Sequence, residues 1–463
     1  NCSVSLTRSP RCRLRRRCGH NGTMGETSQD EGMEAYKRLA YQSEVILRLG
    51  RMLQGAGASA YRVKSSMATV GQNIGIDAHQ SLVTMNEIVA TSYGAGTFRT
   101  EVVENRGVGV NNDLIDRVNR HIAGMKPGTR VEDLESALDR ISSRPPIYGQ
   151  VTAAFAAGIA CSGFGFLNGC GPLQMVAVFI AAMLGQFLRG QLMHRGVNLF
   201  GAWMLCATVA ASIYLLCILA YQSASGASPA HGGGVIAAIL FLVPCVPLVT
   251  SIIELVRADF SAAVSRLAYA LSLIAAAAAA LWIITGLFHW PLSAEPPQQL
   301  DAGYVLPLQF LASFAGAWGF AILFKTPWKA TLLAASIGAV VNVARLWLVS
   351  LGWPVPILAA GAAILIGLAA ALVARFTHYT RVSLSVPGAV IMIPGVYLYT
   401  ALADMSAGSF SNAADALASA VLIILAIGFG LAISRLLTDP AWLVSPGPQR
   451  ARVERVSGEN PAT

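Results

Sequence analysis

Charge is what this sequence has least of. Asp, Glu, Lys and Arg make up 12% of its 463 residues, while 54% are hydrophobic; an ordinary soluble domain carries ~25% charged residues. A water-soluble fold has no way to hide so much apolar surface. The charges that exist are also uneven, crowding into residues 24–148 and the tail and leaving the stretch between almost bare. Two solvents are implied, water and then lipid.

Other absences narrow the function. No C-x-x-C or comparable zinc or redox spacing occurs, so Cys161, Cys170, Cys206, Cys217 and Cys245 read as small hydrophobes, and neither disulfide, metal nor cofactor is expected. There is no P-loop to bind ATP, so energy for any transport should come from an ion gradient. A G-x-S-x-G elbow is missing as well. Ser59 could be set beside His79 or His121 and Asp77, but nothing in the sequence orders them into a triad, and no catalytic residue is assigned.

The net charge of +9 does not indicate nucleic acid. Six arginines (Arg8, Arg11, Arg13, Arg15, Arg16 and Arg17) precede Met24 without a single acid, and removing six from the 33 basic residues leaves 27 against 24 acidic ones. Residues 1–32 read as a basic, disordered leader. It fits translation from a start upstream of Met24 or Met33, or alternatively a basic anchor for anionic lipid.

Residues 33–148 read as a small soluble α+β domain. Helical periodicity runs from Met33 to Gln54, a second helix follows Ser59 as its cap, short strands fill 76–104, and helices are predicted over 111–124 and 131–142. Arg144-Pro145-Pro146 closes the domain. Ten apolar spans follow, at about 151–168, 172–189, 197–220, 234–256, 262–288, 304–324, 329–350, 355–375, 383–403 and 414–435, each near the ~20 residues that cross a bilayer. Lys and Arg fall in alternate loops, and the loops 169–171, 221–233, 289–303, 351–354 and 404–413 hold none. By the positive-inside rule the soluble domain and the tail, 437–463, are cytoplasmic.

An internal repeat divides the spans. Phe241–Thr250 aligns without gaps to Ile391–Thr400, superposing Pro244 on Pro394, Thr250 on Thr400 and Glu254 on Asp404; Gly165-Phe166 and Gly319-Phe320 form a further pair. Each half, 149–290 and 303–436, then holds five spans. An odd number gives the halves opposite orientation, the inverted-repeat plan of many secondary transporters.

The candidate site follows from where polar chemistry meets lipid. Pro244 and Pro247 in the fourth span, and Pro394-Gly395 in the ninth, free backbone carbonyls at mid-membrane, which is tolerated only where protein or water covers them. Thr250 and Thr400, six residues further on, could offer hydroxyls to a solute. Glu254 and Asp404 are candidates for proton coupling or gating, or else solvated helix ends. Arg345, deepest of the basic residues within a span, has Asn342 on the same face and suits a substrate carboxylate, Asp404 or a backbone carbonyl.

The arrangement resembles the bacterial threonine/serine exporter family. The resemblance is carried by Gly57-Ala58-Ser59-Ala60-Tyr61-Arg62-Val63, Thr97-Phe98-Arg99-Thr100, Asn112-Asp113-Leu114, Phe241 to Thr250, Lys325-Thr326-Pro327-Trp328-Lys329, and Val386-Pro387 to Pro394-Gly395 with Tyr399. It implies proton-driven efflux of threonine and serine across the bacterial inner membrane; related two-subunit systems are associated with succinate. The chain departs from that pattern at Pro244-Cys245-Val246-Pro247, where many relatives have glycine after the second proline position. The expected partners are a threonine, serine or small carboxylate substrate, protons and the lipid bilayer, without nucleic acid; homo-oligomeric assembly is left open.

Overall fold

The computed structural model describes residues 23–105, 107, 109–226, 232–287, 302–406 and 408–443. The leader arginines and most of the tail lie outside them.

The amino-terminal α+β region, expected from the sequence to be the soluble domain, opens with α1 (Thr23–Gly55), longer at its start than the apolar periodicity alone predicts, and α2 (Ala60–Asn73). Strands β1 (Ala78–Val83), β2 (Glu87–Gly94) and β3 (Thr97–Glu104) form an antiparallel sheet in that order. The β2–β3 hairpin turns at Ala95-Gly96, both at positive φ, as a tight two-residue turn requires. Helices α3 (Asn112–Gly124) and α4 (Val131–Ser142) complete it. Buried Ile46, Leu49, Leu53, Met67, Ile88, Leu134 and Leu138 form one apolar core shared by the helices and the sheet.

Among the described residues eight helices are long and apolar enough to cross a membrane: α5 (Gln150–Leu167), α6 (Pro172–His194), α7 (Leu199–Ser225), α10 (Phe260–Leu287), α11 (Ala302–Leu323), α12 (Trp328–Ser350), α13 (Val355–Phe376) and α16 (Phe410–Thr438). Between them lie two interrupted segments, broken at the prolines of the fourth and ninth predicted spans. The first is α8 (Gly232–Ile239), a 3-10 turn at Leu240–Leu242 and α9 (Cys245–Val256), bent by 70°. The second is α14 (Arg381–Val390) and α15 (Gly395–Ser406). Proline explains both: without an N–H, Pro244 and Pro394 cannot continue a helix. A four-residue helix, α17 (Pro440–Leu443), follows α16.

At the centre α5 packs against α11. The contact is close because glycine lines it. A Cβ on Gly163 would lie 2.7 Å from the Ala312 carbonyl, and one on Gly319 2.5 Å from that of Ala156. Small residues let backbones approach where lipid supplies no hydrophobic force between helices. Around this axis each half packs in one pattern: α5 on α6, α6 on α7, α7 on α10 and α9 on α10 in the first; α11 on α12, α12 on α13, α13 on α16 and α15 on α16 in the second.

Candidate functional site

The two breaks face each other across the halves, with α9 touching α14 and α8 touching α15. In the first break the chain abandons its helical ladder, and Cys245 N donates back only to Val243 O. The carbonyls of Phe241 and Leu242 are taken up by side chains instead. Arg189 Nη1 donates to Phe241 O at 3.2 Å, and Trp203 Nε1 to Leu242 O at 2.8 Å, with the Arg189 guanidinium 5.1 Å above the Trp203 ring. Freed oxygens that would each cost several kcal/mol bare in hydrocarbon are thereby satisfied.

The second break is not sealed in this way. Among the described residues no side chain donates to the carbonyl of Ile391 or Met392. Arg345 donates Nε to Asn342 Oδ1 at 3.0 Å, and Asn342 Nδ2 donates to Ser313 Oγ at 2.9 Å. Of the three acceptors the sequence suggests for Arg345, neither Asp404 nor a backbone carbonyl is bonded to it among the described residues, and its two terminal amino groups have no protein acceptor there. This chain lies at the level of the break. A Cβ on Gly316 would meet Ile391 and one on Gly338 would meet the Gly388 backbone, and Ser313 and Asn342 sit one turn along from those glycines.

Arg189 and Arg345 are counterparts. Helices α6 and α12 are both 23 residues long, and each carries a buried amide, Gln186 or Asn342, with an arginine three residues later at the same position in the helix. Span-length reasoning misses Arg189 because it ends the second span at that charge, whereas α6 continues to His194. The common spacing between the amides and between the arginines was the signal available.

Thr250 is buried, and its hydroxyl donates back to Val246 O at 2.8 Å, so it has no free donor for a solute. It lines a hollow of about 20 Å³ between α9 and α14, with Ser385 and the three arginines Arg62, Arg381 and Arg435. Thr400 and Asp404 are half-buried on α15.

Glu254 is neither in the membrane centre nor in solvent. It is 2% exposed and paired with Arg266, 1% exposed, at 3.0 Å. Its Oε1 accepts from Ala60 N at 2.7 Å, while Arg266 Nη2 donates to Ala58 O at 2.7 Å. Ser59 stands at the N-cap of α2 but makes no side-chain cap; the cap is a carboxylate 194 residues away, set where the helix dipole favours negative charge. The other oxygen, Glu254 Oε2, is buried without a donor. Capping also runs the other way. Asp116 of α3 accepts from Thr380 N at 2.9 Å and from the Ser383 hydroxyl at 3.3 Å, closing the start of α14. Burial raises the Asp116 carboxyl above its ordinary range, opposed by these hydrogen bonds and by the charge of Arg62.

Further bonds fix the soluble domain to both halves. On the first, Lys64 meets Asp259 at 2.7 Å and Met85 N donates to Ser265 Oγ at 3.1 Å. On the second, Asn112 N donates to Phe324 O at 3.0 Å, Asn112 Nδ2 to Thr326 Oγ1 at 2.9 Å, and the Tyr148 hydroxyl to Thr326 O at 2.9 Å. His79 does not meet Ser59. Its Nδ1 lies 3.0 Å from the Ser92 hydroxyl in a chain that runs through buried Ser43 to half-buried Glu101, a structural network of the domain. The five described cysteines are free thiols.

Residues 44–288 match the family described as "Putative threonine/serine exporter", and residues 309–437 match "Threonine/Serine exporter, ThrE". Two curated relatives are each named "Probable succinate transporter subunit YjjP". The one from Klebsiella aerogenes is 24% identical over 240 residues, covering 51% of this chain and 89% of the relative. The one from Escherichia coli (strain K12) is 24% identical over 265 residues, covering 57% of this chain and 98% of the relative. No solved structure matches the chain.

Proposed function

The chain belongs to the threonine/serine exporter family, and on that premise we propose that it is a proton-driven secondary exporter. It moves a small carboxylate-bearing solute out of a bacterial cell through two inverted five-span halves. It sits in the inner membrane with both termini in the cytoplasm. The observation that carries the site is the inequality of the two breaks: Arg189 is committed to a freed carbonyl, whereas Arg345 keeps its fork open beside a break that no side chain seals. A fork held in a low-dielectric site recognises a carboxylate bidentately, and Asn342 orients it.

The ten-span reading is supported at the second interruption. Arg381 at the start of α14 donates to the Thr438 hydroxyl at 2.8 Å, so the start of α14 and the end of α16 share one level. With α16 running 29 residues away from it, α14 and α15 together make one broken crossing. Similar packing within the halves supports the repeat, and the alternating basic loops support the orientation.

Threonine and serine are the solutes of the family's description, and export of one of them against protons is the first reading. A small dicarboxylate is the second, favoured by the arginines at the site and by the names of the relatives, which are subunits, whereas this chain carries both family segments. Glu254 and Asp404 remain candidates for coupling or gating: Glu254 holds the domain to α9, and Asp404 ends α15 on the opposite side. The test is efflux from cells lacking the gene and from cells expressing it, loaded with precursors of threonine, serine or succinate. Arg345→Gln is expected to abolish efflux and Arg345→Lys to retain a fraction. Unchanged efflux of every solute in Arg345→Gln would remove the site, and efflux untouched by collapse of the proton gradient would remove the coupling.

A further inference from the structure

Between the soluble domain and the bundle lies a cleft of about 480 Å³. Its charged lining is lopsided: Arg62 and Arg120 from the domain and Arg381 and Arg435 from the bundle, against the single carboxylate of Asp439. The protein does little to neutralise them. Arg381 spends its fork on Thr438 at 2.8 and 3.2 Å. Arg62 and Arg435 have no hydrogen-bond acceptor among the described residues, and Arg435 stands 5.3 Å from the Trp442 ring. Asp116, whose charge reaches Arg62, lies outside the lining and is occupied by Thr380 and Ser383. Arg257 adds a further cation behind the wall, 3.5 Å from the Tyr61 ring and 4.7 Å from that of Trp442. Gathering half-buried guanidinium groups of like charge is unfavourable unless an anion joins them.

The position gives the cluster a use. Arg62, Arg381 and Arg435 also line the small hollow that reaches Thr250 of α9 and Ser385 of α14, so the cleft adjoins a hollow bounded by the two interrupted segments. We infer that this cleft is a capture site for a small, net-anionic carboxylate, gripped by Arg62 of the domain and by Arg435 of the bundle, with the charge of Arg381 beside them. The soluble domain is thus half of a binding site. A solute bearing an ammonium group would bring it among four guanidinium groups with Asp439 alone to receive it, so the site selects dicarboxylates over zwitterions. Where the captured anion goes next rests on the transport reading above; its binding does not.

Calorimetry on the purified full chain in detergent tests this, with succinate, threonine and inorganic phosphate as probes. Succinate is expected to bind, with dissociation constants raised at least tenfold by Arg62→Gln and by Arg435→Gln and raised less by Arg62→Lys. Gel filtration and the thermal midpoint confirm that each variant is folded. Succinate binding that survives both Arg62→Gln and Arg435→Gln would overturn the site. Threonine or phosphate binding as tightly as succinate would overturn the ligand class. Arginine-dependent succinate binding in a protein that moves no solute in vesicles would leave the site standing and refute the exporter reading.

Discussion

Glu254→Gln removes one charge from a pair that is almost wholly buried, 2% and 1% exposed. The variant leaves Arg266 in a low-dielectric site without its counter-ion and weakens the acceptor at the start of α2. Breaking such a pair from one side costs about 3–5 kcal/mol, while replacing both partners with apolar groups is often neutral or better. A hydrogen bond to a charged group adds about 1.5–3 kcal/mol, part of which glutamine preserves. The expected loss is therefore about 3–5 kcal/mol, concentrated in the seam between the domain and the bundle. Thermal unfolding of the purified chain, followed together with proteolysis of the loop after Gly55, reads it. Glu254→Gln should lower the midpoint by several degrees and expose the loop, Arg266→Met should do the same, and Glu254→Met with Arg266→Met should recover most of both losses. Losses that simply add in the double variant would show the two residues to be energetically independent and refute the pair as the fastening.

Burial pushes the His79 imidazole down to about 4 from 6.5. Unfolded chains bind a proton that the folded domain refuses, so stability should be full above pH 6.5 and fall by about 3 kcal/mol as pH drops to 4; His79→Asn should flatten that slope in pH-dependent denaturation. Trp203→Phe leaves Leu242 O without its donor and should cost about 1–3 kcal/mol, read as a lowered thermal midpoint with the ring packing kept. Gly319→Val forces a side chain into the Ala156 carbonyl, where a Cβ alone would lie 2.5 Å away, and should separate α5 from α11, which crosslinking of cysteine pairs along them would report. A reporter fused after Gly226 should be active only on the outer side of the membrane.

Much of the soluble domain was legible in its residues. The helix predicted over 131–142 is Val131–Ser142 as built, because its apolar spacing is unbroken and every contact it needs lies on one face. Proline marked both interruptions, since the loss of a donor is a local fact. The fastening was illegible: that Glu254 caps α2 depends on two segments meeting across 194 residues, and no local pattern encodes that. The end of α6 was misjudged, because the second apolar span was closed at the charge of Arg189 whereas the helix continues to His194. The cleft arginines, Arg62, Arg381 and Arg435, are far apart in sequence; Arg62 was read only within the motif at 57–63, and the other two only as loop or segment-end charges.

The soluble domain grips both halves at once, Glu254 and Asp259 on one and Thr326 and Thr380 on the other. Bonds of this length do not stretch, so if the two halves tilt against each other the domain must let go of one jaw at every stroke. On the exporter reading proposed above, it would then work as an escapement: the pace of the machine would be set by how readily that grip releases, and whatever occupies the seam would decide whether it runs or waits.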